Sequence, residues 1–345
     1  MKQKTIMFYL PSIFMGGTEI GTLNLIKNLK DYKIIVAYTG DNESEKMMSM
    51  LKEHAEVIKI TEDDYFNYET DILISVHHFA GNIAILDKII RKKTFHVIHT
   101  VGRAYLNDKV NYDLFDEIIF VSQATKERLL DLYPDNKKVQ NALVIHNLID
   151  NDAVLASAEE FNAELPKKAL NLVTIATLVP HKGYQRMAHL ISLFDEKKID
   201  YHWYIFGTGI PSPAGEESKQ KVLNHLEPFK DRITILDTSH NPFPYVQKAD
   251  YLLHLSDFET WGLVITEAKI LGTPCIVSNF KAAYEQIEDN KNGFILDLED
   301  LDSYQTRVNE IVNSKTKLRE NVKDYRFDNT TALNHWQSLI EKALN

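Results

Sequence analysis

A chain of 345 residues exceeds one comfortable hydrophobic core and points to two domains of roughly 150 to 170 residues each. With 44% hydrophobic and 26% charged residues it reads as globular and soluble, and a formal net charge of −10 argues against broad attraction to nucleic acid. The single cysteine, Cys275, excludes a disulfide framework and fits a reducing cytosol; set inside an apolar run, it reads as a small core residue rather than a nucleophile.

Lys2 and Lys4 precede an apolar run over residues 5–10. The run is too short for a signal peptide, and Pro11 and nearby glycines interrupt it, so a first buried strand is expected. No segment approaches the ~20 apolar residues of a membrane span, so any membrane contact should be peripheral. Further apolar runs at 34–38, 57–60, 72–76, 96–99, 117–121 and 143–146 predict strands. The amphipathic segments 19–29, 82–91 and 123–132 predict helices between them, the last capped by Ser122. Such alternation argues for a parallel, doubly wound sheet.

A composition shift at 150–168, rich in Ala, Glu and Asn, marks a connector. The pattern then restarts, with strands at 170–177, 202–206, 233–237, 251–255, 275–278 and 294–296 and helices at 185–194 and near 216–225. The expected division is 1–160 and 161–327. A last helix in 328–345 presents Trp336, Leu339, Ile340 and Leu344 on one face. Ligands of doubly wound sheets bind at the carboxyl ends of the strands.

The segment from Ser256 to Ala268 carries the most chemistry. Glu259 and Glu267 stand eight positions apart around Gly262. On one continuous helix they would lie about 12 Å apart along the axis. They cooperate better if Glu259 sits in a loop and a helix starts near Gly262. Backbone N–H groups at Gly262, Leu263 and Val264 would then face what both acids hold, which is how proteins grip phosphate. The arrangement suits a nucleotide-sugar, with N–H groups for the diphosphate and acids for hydroxyls.

Other segments are compatible but less specific. Gly16-Gly17 follows the first strand and precedes a helix, where the backbone can approach an anion. Lys182-Gly183 follows the 170–177 strand, and Gly207-Thr208-Gly209 makes a tight turn after another. His99 ends the 96–99 strand, and His77 and His78 follow 72–76 on the same edge. These histidines lack ligand spacing such as His-Glu-x-x-His, so no metal site is expected. The acidic stretch 297–302 reads as a solvated segment.

Taken together these motifs resemble retaining GT-B glycosyltransferases, in particular the large family 4, with its E-x7-E segment at Glu259 and Glu267. The resemblance extends over nearly the whole chain. It includes the Gly-Gly-x-Glu loop at Gly16, Gly17 and Glu19, the Ser-x-x-Thr helix at Ser122 and Thr125, Asn147, and the 241–250 segment before the donor strand. It implies an α/β GT-B fold of two Rossmann-like domains with a cleft between them. The N-terminal domain would serve the acceptor, the C-terminal domain would bind the donor, and the last helix would cross back to the N-terminal domain.

The resemblance further implies a hexosyl transfer (EC 2.4) from a nucleotide-diphosphate sugar, a UDP-sugar above all, to a glycan or lipid-linked acceptor. No separate cofactor or metal enters, and the setting is cytoplasmic surface-polysaccharide synthesis, with a peripheral place on the inner membrane face left open. Glu267 would bind ribose hydroxyls, and Glu259 a sugar hydroxyl. Gly16, Gly17, Lys182, Gly262, Leu263 and Val264 would hold the diphosphate, Gly207 would run beside the nucleotide, and His99 would contact the transferred sugar. One departure is plain: Ala176-Thr177 replace the family's Gly-Arg, with His181 or Arg186 as the nearest compensating groups. Two rival readings are a sugar-nucleotide epimerase and a degenerate GT-B subunit that binds a peptide or glycan without catalysis.

Overall fold

The computed structural model describes residues 3–41, 43–61, 68–76, 89–101, 111–210 and 212–345. The chain divides into two compact units, Met1–Ile149 with Asp328–Asn345, and Asp150–Phe327.

In the first unit, strands β1 (Thr5–Leu10), β2 (Lys33–Tyr38), β3 (Glu56–Lys59), β4 (Glu69–Val76), β5 (Ile90–Ile98), β6 (Glu117–Phe120) and β7 (Leu143–Val144) form one sheet in the order β3-β2-β1-β4-β5-β6-β7. Every pairing in it is parallel. A parallel sheet is covered on both faces, so its strands lack polar alternation; Ile6 to Leu10 are all fully buried. Helices α1 (Gly17–Lys27), α2 (Glu45–Lys52), α3 (Gln123–Leu132) and α4 (Lys137–Asn141) connect the strands. Ser44, Ser122 and Asn136 cap the last three through their side-chain oxygens. Most of the expected 82–91 helix lies outside the described residues, as do His77 and His78.

The second unit opens with α5 (Asn151–Ala158), so the boundary falls between Ile149 and Asp150 rather than at 160. Its elements continue as β8 (Leu170–Ile175), α6 (Tyr184–Glu196), β9 (Tyr201–Phe206), α7 (Pro213–Leu226), β10 (Ile233–Leu236), α8 (Phe243–Lys248), β11 (Tyr251–His254), α9 (Leu263–Ile270), β12 (Cys275–Ser278), β13 (Gly293–Leu296) and α10 (Tyr304–Val322). The sheet runs β10-β9-β8-β11-β12-β13, again with parallel pairings throughout. Cys275 is a core residue: fully buried, with its thiol pushed up to about 12 by burial.

Helix α11 (Thr330–Leu344) belongs to the first unit. Trp336, Leu339 and Ile340 join the core that contains Phe8, Val36 and Ile74, and Leu344 packs against its margin.

Candidate functional site

In the second unit the strand order reverses between β8 and β11, which are hydrogen-bonded neighbours. The loops leaving their carboxyl ends therefore diverge and leave a crevice, the usual ligand position in such sheets. One loop carries Thr177 to Gly183 and the other Leu255 to Gly262.

Gly183 decides how closely the loops meet. It is left-handed (φ +79°), and a side chain there would collide with the Leu255 carbonyl. The Asp257 N–H donates to the His181 carbonyl at 2.8 Å, and Ser256 Oγ donates to it at 3.1 Å. Held this way, Lys182 Nζ donates to Glu259 Oε1 at 2.6 Å.

A second donor reaches the same oxygen: His254 Nε2 lies 2.8 Å from Glu259 Oε1. Burial alone would raise this carboxyl, but His254 and Lys182 outweigh it and hold Glu259 down to about 2. Both contacts use Oε1, and among the described residues Oε2 takes no hydrogen bond.

Gly262 follows at φ +82°, a left-handed bend from which α9 departs. No side chain caps this helix, so the first-turn N–H groups of Leu263 and Val264 remain available for an acceptor. Behind them a buried network fixes the bend. Trp261 Nε1 donates to Thr266 Oγ1 (3.2 Å), Thr266 Oγ1 donates to Gln286 Oε1 (2.6 Å), and Gln286 Nε2 donates to the Trp261 carbonyl.

Glu267 lies one turn into α9 and keeps a little accessible surface. Burial pushes its carboxyl up to about 7, and neither a hydrogen bond nor a neighbouring cation offsets that. A carboxylate held in so poor an environment is a candidate for binding a ligand's hydroxyls. Loop, uncapped helix and unpartnered acid together have the chemistry that a polyhydroxylated anion would need.

Comparison with known proteins bears on the fold and the class of reaction. Residues 157–327 match the family described as Glycosyl transferases group 1. The chain is 27% identical over 264 residues to a Klebsiella pneumoniae 41.2 kDa protein in the cps region, covering 71% of this chain and 69% of that one. It is 23% identical over 288 residues to the Escherichia coli O-antigen biosynthesis glycosyltransferase WclY, covering 76% of each. Its fold matches that of Anabaena Alr3699/HepE, solved with UDP and glucose, at a TM-score of 0.78 and 16% identity, over 98% of this chain and 100% of that one.

The chain is a GT-B glycosyltransferase. Its second unit brings together Lys182, Glu259, Gly262, Leu263, Val264 and Glu267 at the ends of β8 and β11 and the start of α9. Gly207 follows β9, and its N–H donates to the Leu236 carbonyl at 2.9 Å. In the first unit, Gly16 and Gly17 open α1 with Gly16 extended, and no side chain caps that start. Buried His99 follows β5 and lines a small cavity with Gly21, Thr22, Asn147 and Trp336. Asn147 is thus placed beside His99 as well as before the connector.

Two features differ from the sequence reading of this glycosyltransferase. Arg186 does not stand free to replace the missing arginine: its guanidinium donates to the Leu255 carbonyl at 3.1 Å and pairs with Asp257. His254 was missed, because a histidine in an apolar strand gives no signal that its ring meets a glutamate five residues on. Among the described residues no group of three or more His, Cys, Asp or Glu is arranged for a metal ion, and no helix is long and apolar enough to cross a membrane.

Proposed function

We propose that this glycosyltransferase moves a hexose from a UDP-sugar to a glycan or lipid-linked acceptor in surface-polysaccharide synthesis, with retention of anomeric configuration. The observation that carries the reading is the uncapped start of α9, flanked by Lys182 on one side and the unpartnered Glu267 on the other. In this assignment Glu267 accepts hydrogen bonds from the ribose hydroxyls, and Lys182 with the N–H groups of Gly262, Leu263 and Val264 holds the diphosphate. Gly16 and Gly17 present the first unit's backbone to the same diphosphate, and Gly207 runs beside the nucleotide.

Glu259 takes a hydroxyl of the transferred sugar through Oε2. His99 contacts that sugar from the first unit. As the glycosidic bond breaks, negative charge grows on the leaving diphosphate, and fixed N–H groups and Lys182 stabilise it there. The acceptor hydroxyl attacks from the face the leaving group vacates, and a departing phosphate oxygen takes its proton. No divalent cation has a role in this scheme. UDP named in the HepE structure and O-antigen synthesis named for WclY support the donor and the setting.

The deciding experiment incubates the protein with UDP-glucose, UDP-galactose and UDP-GlcNAc in buffer containing EDTA. One of them should raise the melting temperature and release UDP slowly without acceptor. Failure of all three to bind, with full activity on GDP- or dTDP-sugars, would overturn the UDP assignment. Binding without hydrolysis or transfer under any acceptor would favour a non-catalytic subunit.

A further inference from the structure

His254 ends β11, between buried Tyr251, Leu252 and Leu253 and buried Leu255. It is itself 2% exposed. Its Nδ1 is buried without any hydrogen-bond partner, an arrangement that costs stability and that a leucine or phenylalanine would avoid. Among the described residues its one side-chain hydrogen bond is to Glu259. A residue that penalises the core on one side and reaches a candidate sugar ligand on the other is placed for the ligand's sake.

We propose that His254 is a positioning residue for the transfer reaction: it fixes the Glu259 carboxylate from the interior of β11 so that Oε2 is presented to a hydroxyl of the donor sugar. This rests on the role given to Glu259 in the proposed function. An ionised carboxylate only accepts, so Nε2 carries the proton shared with Glu259.

Lys182 alone could not do this work. Its flexible stem is shared with the diphosphate, and when Lys182 turns toward phosphate Glu259 loses one of the two donors on Oε1. His254 sits inside a strand with its ring edge-on to Phe280, so its own orientation is set by packing. The titratable groups facing Glu259 are therefore His254 from β11 and Lys182 and His181 from the turn before α6.

The test uses the full chain in three measurements. Nitrogen NMR of the wild-type imidazole rings should show His254 with its proton on Nε2; a proton on Nδ1 alone would overturn the proposal without any variant. Carbon NMR of labelled glutamates, with Glu259→Gln for assignment, should show a Glu259 carboxyl that does not titrate above about pH 4. In His254→Phe, which keeps ring bulk but loses the donor, that midpoint should rise into the measured range, and His254→Gln should return it.

With the UDP-sugar that the enzyme turns over, His254→Phe should lower kcat by about tenfold or more while leaving UDP affinity unchanged, and His254→Gln should recover most of it. An unmoved Glu259 midpoint in His254→Phe, or a glutamine variant no better than phenylalanine, would overturn the proposal. If no UDP-sugar is turned over by the wild type, the function reading fails while the two NMR measurements still decide the role of His254.

Discussion

Lys182 Nζ and Glu259 Oε1 lie 2.6 Å apart, so the groups proposed for the diphosphate and for the neighbouring sugar neutralise each other. A charge-assisted hydrogen bond of this length must be shared or broken when a diphosphate competes for the lysine. The relationship gives the two residues effects of opposite sign on nucleotide binding.

Lys182→Met should weaken UDP binding by about 1.5–3 kcal/mol, or roughly 10- to 100-fold, as a charged hydrogen-bond partner is lost. Glu259→Gln removes the competitor instead. It should leave UDP binding equal or tighter while transfer falls steeply, since the proposed role of Glu259 is to hold the sugar. Calorimetry with UDP alone checks both, and weaker UDP binding by Glu259→Gln would contradict the assignment.

Glu267 links stability to function through pH. Burial raises its carboxyl from 4.5 to about 7. Below the unfolded value both states are protonated and the residue costs nothing. Between the two values the unfolded chain ionises while the folded one resists, so stability falls as pH rises, and above pH 7 the full cost is in place. That cost is at most about 3 kcal/mol, since the side chain keeps some contact with solvent. Glu267→Gln should therefore melt no higher than wild type near pH 4.5 and higher at pH 8. The same variant should lose the preference for UDP over its 2′-deoxy counterpart. A pH-independent change in melting temperature would remove the argument.

The sheets were legible because parallel strands buried on both faces read as unbroken apolar runs, as in Ile6 to Leu10 and Cys275 to Val277. The helix start near Gly262 was legible because a glycine between a polar loop and an apolar helical segment marks a boundary. Contacts set by loops returning in space were not. Nothing local tells that Arg186 closes on Asp257, or that His254 faces Glu259. The connector misled for a similar reason. Its polar composition suggested a linker, yet α5 is tied to the second unit by Asn241, whose amide donates to the Ser157 carbonyl at 2.7 Å, and by Asn151, which donates to the Phe327 carbonyl at 3.0 Å.

His99 should separate chemistry from nucleotide binding. It belongs to the first unit, whereas the nucleotide groups named above lie mostly in the second. His99→Ala should lower kcat by about 10- to 100-fold through loss of a contact made as the sugar bond breaks, with UDP affinity nearly unchanged. Because His99 is buried against the cavity beside Gly21 and Asn147, His99→Gln is the companion variant that guards against simple loss of packing. Unchanged turnover in a folded His99→Ala would remove it from the site.

Thr177 offers a gain rather than a loss. The residue is exposed at the start of the loop that leaves β8, and the exposed His181 lies in the turn that follows. Arg186 is committed to Leu255 and Asp257, so Lys182 stands as the chief side-chain cation for a diphosphate on this side. An arginine at 177 would have room to reach out and could grip phosphate oxygens with two parallel N–H groups. Thr177→Arg should then tighten UDP binding by about 1 kcal/mol, roughly fivefold, with the gain shrinking as salt rises. The effect should largely survive in Thr177→Arg combined with Lys182→Met, because each cation meets the diphosphate separately. Equal UDP affinity in wild type and Thr177→Arg at low salt would mean that the diphosphate does not pass this loop, and would count against placing it at the start of α9.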